Sequence, residues 1–213
     1  SIRLGPRASL GAALAPEVRT WPLRAPRLVH RQARSPAPVE IHPPGKFPFP
    51  EACAPTWLGP QRWKAFGDSG WLCPQPLVSL APLIVTAQLY VEGDFRCPAA
   101  SLLEADICAA GSIIIGEDSV VRANLTAGQD AIVGAGCLLE GCVKAGRHVR
   151  VGEQVQAFHR FGPLEISAGG EIQMAGEVLV RGALRARAGL IALEAATVNP
   201  LVTLAAHAGT GGD

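Results

Sequence analysis

Along residues 83–204, small or apolar side chains return as pairs every six residues. From Ile113 the steps of six are Ile113, Ser119, Leu125, Ala131, Cys137, Val143, Val149, Val155 and Phe161. Two positions after each stand Ile115, Val121, Ala127, Val133, Leu139, Ala145, Val151, Ala157 and Pro163, and none of these paired residues is charged. The same steps run back to Leu83 and Val85. Beyond Phe161 one step shortens to five, and the ladder resumes at Ile166 and Ala168 and continues to Val202 and Leu204.

Side chains at i and i+2 of a strand point to one face. A pair followed by a four-residue gap therefore predicts a very short strand, a corner, and another short strand. A helix with 3.6 residues per turn would carry such pairs around its cylinder. Strands this short cannot bury a face alone, so they must stack as a parallel solenoid. A β-sandwich would need strands at 8–12-residue spacing and longer loops.

A second period sharpens the pattern. Leu103-Glu104-Ala105-Asp106-Ile107 is echoed eighteen residues later by Val121-Arg122-Ala123-Asn124-Leu125, and again by Leu139-Glu140-Gly141-Cys142-Val143. Three hexads then make one coil with three faces. The expected fold is an all-β, single-stranded parallel β-helix (β-solenoid) with triangular coils of about 18 residues, seven in all, and the pattern alone leaves both hands open. Gly116, Gly134 and Gly152 share the eighteen-residue spacing. They are expected to stack at one corner, where a residue without Cβ takes φ > 0 at little cost.

Composition divides the chain. Residues 1–50 carry eight Lys/Arg against Glu17 and Glu40, a charge of +6 within a total of +1. Fifteen of the eighteen prolines lie at or before Pro82. Such a segment cannot donate a regular ladder, so residues 1–50 read as a disordered basic Pro/Arg-rich arm. Residues 51–82 hold Trp57, Trp63, Phe66 and Trp71 and read as an aromatic cap on the first coil, because an uncovered coil offers strand edges to other chains. Residues 83–204 form the solenoid domain and residues 205–213 a flexible tail.

The six cysteines, at 53, 73, 97, 108, 137 and 142, show neither a C-x-x-C pair nor zinc spacing. They read as reduced structural thiols. The apolar run over residues 77–91 contains Pro82 and is shorter than the ~20 residues of a membrane span. The expected location is the cytoplasm, with the basic arm offering contact to the inner face of the cytoplasmic membrane.

The segments Val91-Glu92-Gly93-Asp94-Phe95, residues 121–128, and Val133-Gly134-Ala135-Gly136-Cys137-Leu138-Leu139-Glu140-Gly141 resemble the bactofilins, polymer-forming cytoskeletal proteins of bacteria. The likeness covers about half the chain, residues 89–180. It implies a right-handed triangular β-helix with disordered flanks, nucleotide-free end-to-end polymerisation into filaments, and a scaffolding role at the membrane. Phe158-His159-Arg160-Phe161-Gly162-Pro163 is bulkier than a usual corner, and the tryptophan-bearing segment departs from the family's flanks.

An enzyme reading stands beside this one. Ile115-Gly116-Glu117-Asp118-Ser119-Val120, Val133-Gly134-Ala135-Gly136-Cys137-Leu138 and Val151-Gly152-Glu153-Gln154-Val155-Gln156 match the hexapeptide of left-handed, trimeric acyltransferases. Those enzymes use a histidine general base, and the alternative catalytic candidates here are His148 and His159. Surface histidine is the plainer reading of both. His148, His159 and His207 lack the spacing of a γ-class carbonic anhydrase zinc site. The carboxylates Glu104, Asp106, Glu140, Glu165, Glu171 and Glu177 read as corner or outward residues.

The sequence thus predicts a non-enzymatic scaffold that associates with itself as a polymer or oligomer. It predicts no cofactor, no metal, no small-molecule substrate and no nucleic acid bound by the solenoid, which is net acidic.

Overall fold

The computed structural model describes residues 3–4, 37–44, 63–159, 162, 164–192 and 197–198. They form an all-β solenoid of stacked parallel strands, about six turns of ~18 residues each. Three faces follow one another around each coil. The first face stacks Leu77–Val78, Phe95–Cys97, Ile113–Ile115, Ala131–Val133, Val149–Val151, Glu171–Met174 and Gly189–Ala192. The second stacks Val39–Ile41, Leu83–Val85, Leu102–Leu103, Val120–Val121, Leu138–Leu139 and Gln156–Phe158. The third stacks Gly70–Cys73, Gln88–Val91, Ile107–Ala109, Leu125–Ala127, Val143–Ala145 and Leu164–Ala168. Leu179–Ala186 turns a corner and joins both stacks, ending the third, while Thr197–Val198 adds to the second beyond it.

The hexad ladder is the core. Ile113, Leu125, Ala131, Val149 and Val155 are completely buried, and their i+2 partners Ile115, Ala127, Val133, Val151 and Ala157 are at most 3% exposed. Residues between partners point outward, giving the alternation seen in Ile113–Ile115 and Leu125–Ala127. Each wholly buried Leu, Ile or Val contributes about 1.5–3 kcal/mol relative to exposure. The inner column therefore holds the coils together as much as the ladder hydrogen bonds do. Ser79, Ser101 and Ser119 are the buried serines of this column and lie only 5%, 2% and 1% exposed. The Ser101 hydroxyl donates to the Pro98 carbonyl and accepts the Leu83 N–H, which satisfies it inside the core.

The solenoid starts earlier than residue 83. Gly70–Cys73 pairs parallel with Gln88–Val91, and Leu77–Val78 pairs with Phe95–Arg96, so much of the expected cap consists of coil. Val39–Ile41, inside the range expected to be a disordered arm, pairs with Leu83–Val85, and Ile41 is buried. The reason is chemical: Val39 and Ile41 repeat the i, i+2 pattern and cover the second face of the first complete coil. Arg3–Leu4, in the same range, likewise pairs with Ile191–Ala192. Apart from residues 3–4 and 37–44, the arm falls outside the described residues, as do Trp57, the last rung at residues 202–204 and the tail at 205–213.

The register slip is an insertion. Leu125 pairs with Val143, eighteen positions on, whereas Val143 pairs with Ile166, twenty-three positions on. Val149–Ile172 and Gln156–Leu179 show the same twenty-three, and Ile166–Leu184 returns to eighteen. Ile166 thus shares Val143's face. A separate rung at Phe161 and Pro163 would have moved it to the next one. The five extra residues fall between Gln156–Phe158 and Leu164–Ala168, where Phe161 and Pro163 lie outside the described residues, and the longer coil is one reason the count falls below seven.

The stacked corner glycines are confirmed in place but not in conformation. Gly116, Gly134 and Gly152 do not have positive φ; that conformation falls two positions later, at Asp118 (53°), Gly136 (69°) and Gln154 (57°), with Ala100 (59°) and Glu177 (57°) in the same column. Gly134 is required by close approach. A Cβ there would stand 2.7 Å from the Glu117 backbone nitrogen, and one on Gly152 would stand 2.7 Å from that of Ala135.

Candidate functional site

The outer surface is organised in columns that climb from coil to coil. At the corner entering the first face, Asp94 Oδ1 accepts the Ser112 N–H at 2.8 Å, and Asp130 Oδ1 accepts the His148 N–H at 3.1 Å. His148 Nδ1 then accepts the Glu171 N–H at 3.2 Å. A backbone amide can only donate, so Nδ1 is an acceptor and the ring's proton lies on Nε2 in its neutral form. His148 does the work of the aspartates below it. That column also sets the electrostatics of Asp94, whose carboxyl lies below its usual range because the Ser112 amide, and secondarily Arg96, favour the charged form.

At the corner entering the third face, Asp106 Oδ1 accepts the Asn124 N–H at 2.8 Å and Asn124 Oδ1 accepts the Cys142 N–H at 3.0 Å. Other expected carboxylates are likewise matched across coils. Arg122 Nη1 meets Glu104 Oε1 at 3.0 Å, and Arg122 Nε meets the buried Glu140 Oε2 at 3.4 Å. Gln154 Nε2 donates to Glu177 Oε2 at 3.1 Å, and Arg185 lies 4.0 Å from Glu165. Glu104 and Glu140 are therefore bridged by a cation, not poised as an acid–base pair.

His159 follows the second-face strand Gln156–Phe158, whereas His148 precedes the first-face strand Val149–Val151. The fold places the two candidates at different corners of the coil and does not bring them together. Their ring chemistry, with Nδ1 of His148 already engaged, gives no shared general base. Among the described residues no group of three His, Cys, Asp or Glu side chains could hold a metal ion. A shallow groove of about 260 Å³ crosses the third face, lined by Gln88, Tyr90, Asp106, Cys108, Asn124 and Thr126. That is below the 300–1,000 Å³ of typical ligand pockets.

The five described cysteines are free thiols. Burial pushes Cys73 up to about 12 and Cys137 up to about 11, and it raises Cys97 as well. These thiols pack as small hydrophobes and are poor nucleophiles.

The ends differ from the shaft. At the first end the Trp71 indole donates to the His42 carbonyl at 2.7 Å and packs edge-on against Trp63 with centroids 6.2 Å apart. His42 Nδ1 lies 3.1 Å from Thr86 Oγ1, and Nε2 lies 2.9 Å from Glu40 Oε2. The hairpin strand Lys64–Phe66 runs antiparallel to Gly70–Cys73 and covers the third face. Among the described residues, the edge strand of the first face is Leu77–Val78. The N–H groups of Leu77 and Ser79 reach up to Asp94 and Arg96, so the Val78 amide and carbonyl point away from the solenoid. Val78 is 45% exposed and nearby Leu80 78%.

At the other end Thr197–Val198 pairs with Leu179–Val180, and Arg3–Leu4 lies parallel to Ile191–Ala192. Along the second face the outward residues of successive strands are Ile84, Leu102, Val120 and Leu138, all partly exposed. Inward counting missed this apolar stripe. Its signal, Leu102-Val120-Leu138 at eighteen-residue spacing, was present one position off the ladder.

Comparison with protein-family models, with curated proteins and with solved structures returns no match. Among the described residues no helix is long and apolar enough to cross a membrane.

Proposed function

We propose that this chain is a self-assembling structural scaffold of the bactofilin kind, joined through the ends of its solenoid. The observation that carries the reading is the edge at Leu77–Val78, where an outward-pointing backbone amide and carbonyl lie beside the exposed apolar side chains of Val78 and Leu80. A strand edge of this sort pairs readily with another chain. Because the two ends of a solenoid differ, an end-to-end contact is heterologous and grows into a fibre unless its rotation closes. The basic residues at 1–50 suit contact with an anionic membrane surface, which would place such polymers at the inner face of the cytoplasmic membrane.

A hexapeptide-repeat acyltransferase is the second reading, favoured by the Gly116, Gly134 and Gly152 column and the positive-φ residues two positions later. Against it stands His148, whose Nδ1 is committed to the Glu171 amide. Negative-stain electron microscopy separates the two: filaments support the scaffold, and discrete trimers favour the enzyme.

A further inference from the structure

We infer that two copies of the chain pack laterally through their second faces, with solenoid axes antiparallel about a two-fold axis between Leu102 and Val120. This extends the self-assembly reading to the side of the solenoid. It uses residues remote from the ends, so the two contacts fail separately.

The stripe Ile84, Leu102, Val120 and Leu138 is apolar and partly exposed, and consecutive members belong to adjacent coils about 4.8 Å apart. Two positions after three of them runs a charged column of alternating sign, Glu104, Arg122 and Glu140. Alternation makes the column a register key. With antiparallel axes centred between Leu102 and Val120, Leu102 faces the second copy's Val120 and Ile84 faces its Leu138. Glu104 then faces Arg122 of the other copy, and Arg122 faces its Glu104, so every apolar residue and both exposed charges are matched.

Neighbouring registers do worse. Centring on Leu102 or on Val120 sets Glu104 against Glu104 or Arg122 against Arg122. Centring between Val120 and Leu138 sets Leu102 against Gln156. Axes running the same way bring Arg122 to Asp118 but leave Glu104 facing Ala100. Like-charge juxtaposition suppresses wrong pairings and opposite charges fix register. The strip is narrow, so a single pair of copies is held weakly and the contact gains from repetition along a polymer.

The test uses two full-length variants, Glu104→Arg and Arg122→Glu, each checked for its β-sheet circular dichroism. In either alone, like charges meet across the two-fold axis, and self-association by sedimentation velocity weakens roughly tenfold or more. In a one-to-one mixture the arginines of one copy face the glutamates of the other, and association returns to the wild-type level. Wild-type association unchanged by either substitution, a mixture that fails to recover, or a wild-type chain that never exceeds monomer mass overturns the proposal. Wild-type filaments of single width by electron microscopy also overturn it while leaving end-to-end growth intact.

Discussion

His148 Nδ1 accepts the backbone N–H of Glu171 across the one coil that is five residues too long. A histidine that sequence alone offers as a general base is thereby a rung of a corner ladder, equivalent to Asp94 and Asp130, three steps and one step of the column away, in kind if not in charge. His148→Asp should keep the hydrogen bond and melt close to wild type. His148→Leu removes the acceptor and should cost about 1 kcal/mol. Thermal denaturation followed by circular dichroism checks both, and neither variant should alter assembly.

Asp94 gives the chain an acid-sensitive contact. Its folded pKa is lowered, chiefly by the Ser112 amide, so its contribution is fully present above the unfolded value near 3.9. That contribution is lost as pH falls through the folded value. Asp94→Asn keeps an acceptor for Ser112, as Asn124 does for Cys142, but does not titrate. Melting temperatures across pH 2–6 should fall less steeply below about pH 4 in the variant than in wild type.

The corner column separates two reasons for glycine. Gly134→Ala drives a Cβ into the Glu117 backbone and should cost several kcal/mol or abolish folding, in line with overpacking penalties of about 1–3 kcal/mol even for pliable cores. Ala100→Gly relieves a non-glycine residue held at φ 59° and should stabilise by about 1 kcal/mol. Urea midpoints of the two variants should move in opposite directions.

If the slip is an insertion, removing residues 159–163 restores an eighteen-residue coil and returns Ile166 to normal spacing from Val143. The shortened chain should remain soluble, keep its β-sheet circular dichroism and melt within a few degrees of wild type. Loss of folding would mean that the five extra residues have a structural role of their own.

The inner architecture was legible because burial enforces it residue by residue: one charged side chain at Leu125 or Val149 would be ruinous, so the ladder is clean. Counting Phe161 and Pro163 as a rung misled because spacing was counted without pairing, and pairing joins Val143 directly to Ile166. Val39 and Ile41 were hidden by the surrounding prolines and by more than forty residues separating Val39 from its partner Leu83. The candidate surfaces were less legible. Outward positions are free to vary, so the stripe from Ile84 to Leu138 and the Glu104–Arg122–Glu140 column acquire meaning only once pairing stacks them. His148's role likewise depends on Glu171, twenty-three residues away, which no local pattern announces.

The central claim is self-assembly through the solenoid ends, and negative-stain microscopy of the purified full chain over rising concentration tests it most directly. Filaments that lengthen with concentration, and that disappear when Val78 and Leu80 are both replaced by lysine without loss of β-sheet signal, are the predicted result. Discrete trimers, or monomers at every concentration, would contradict it.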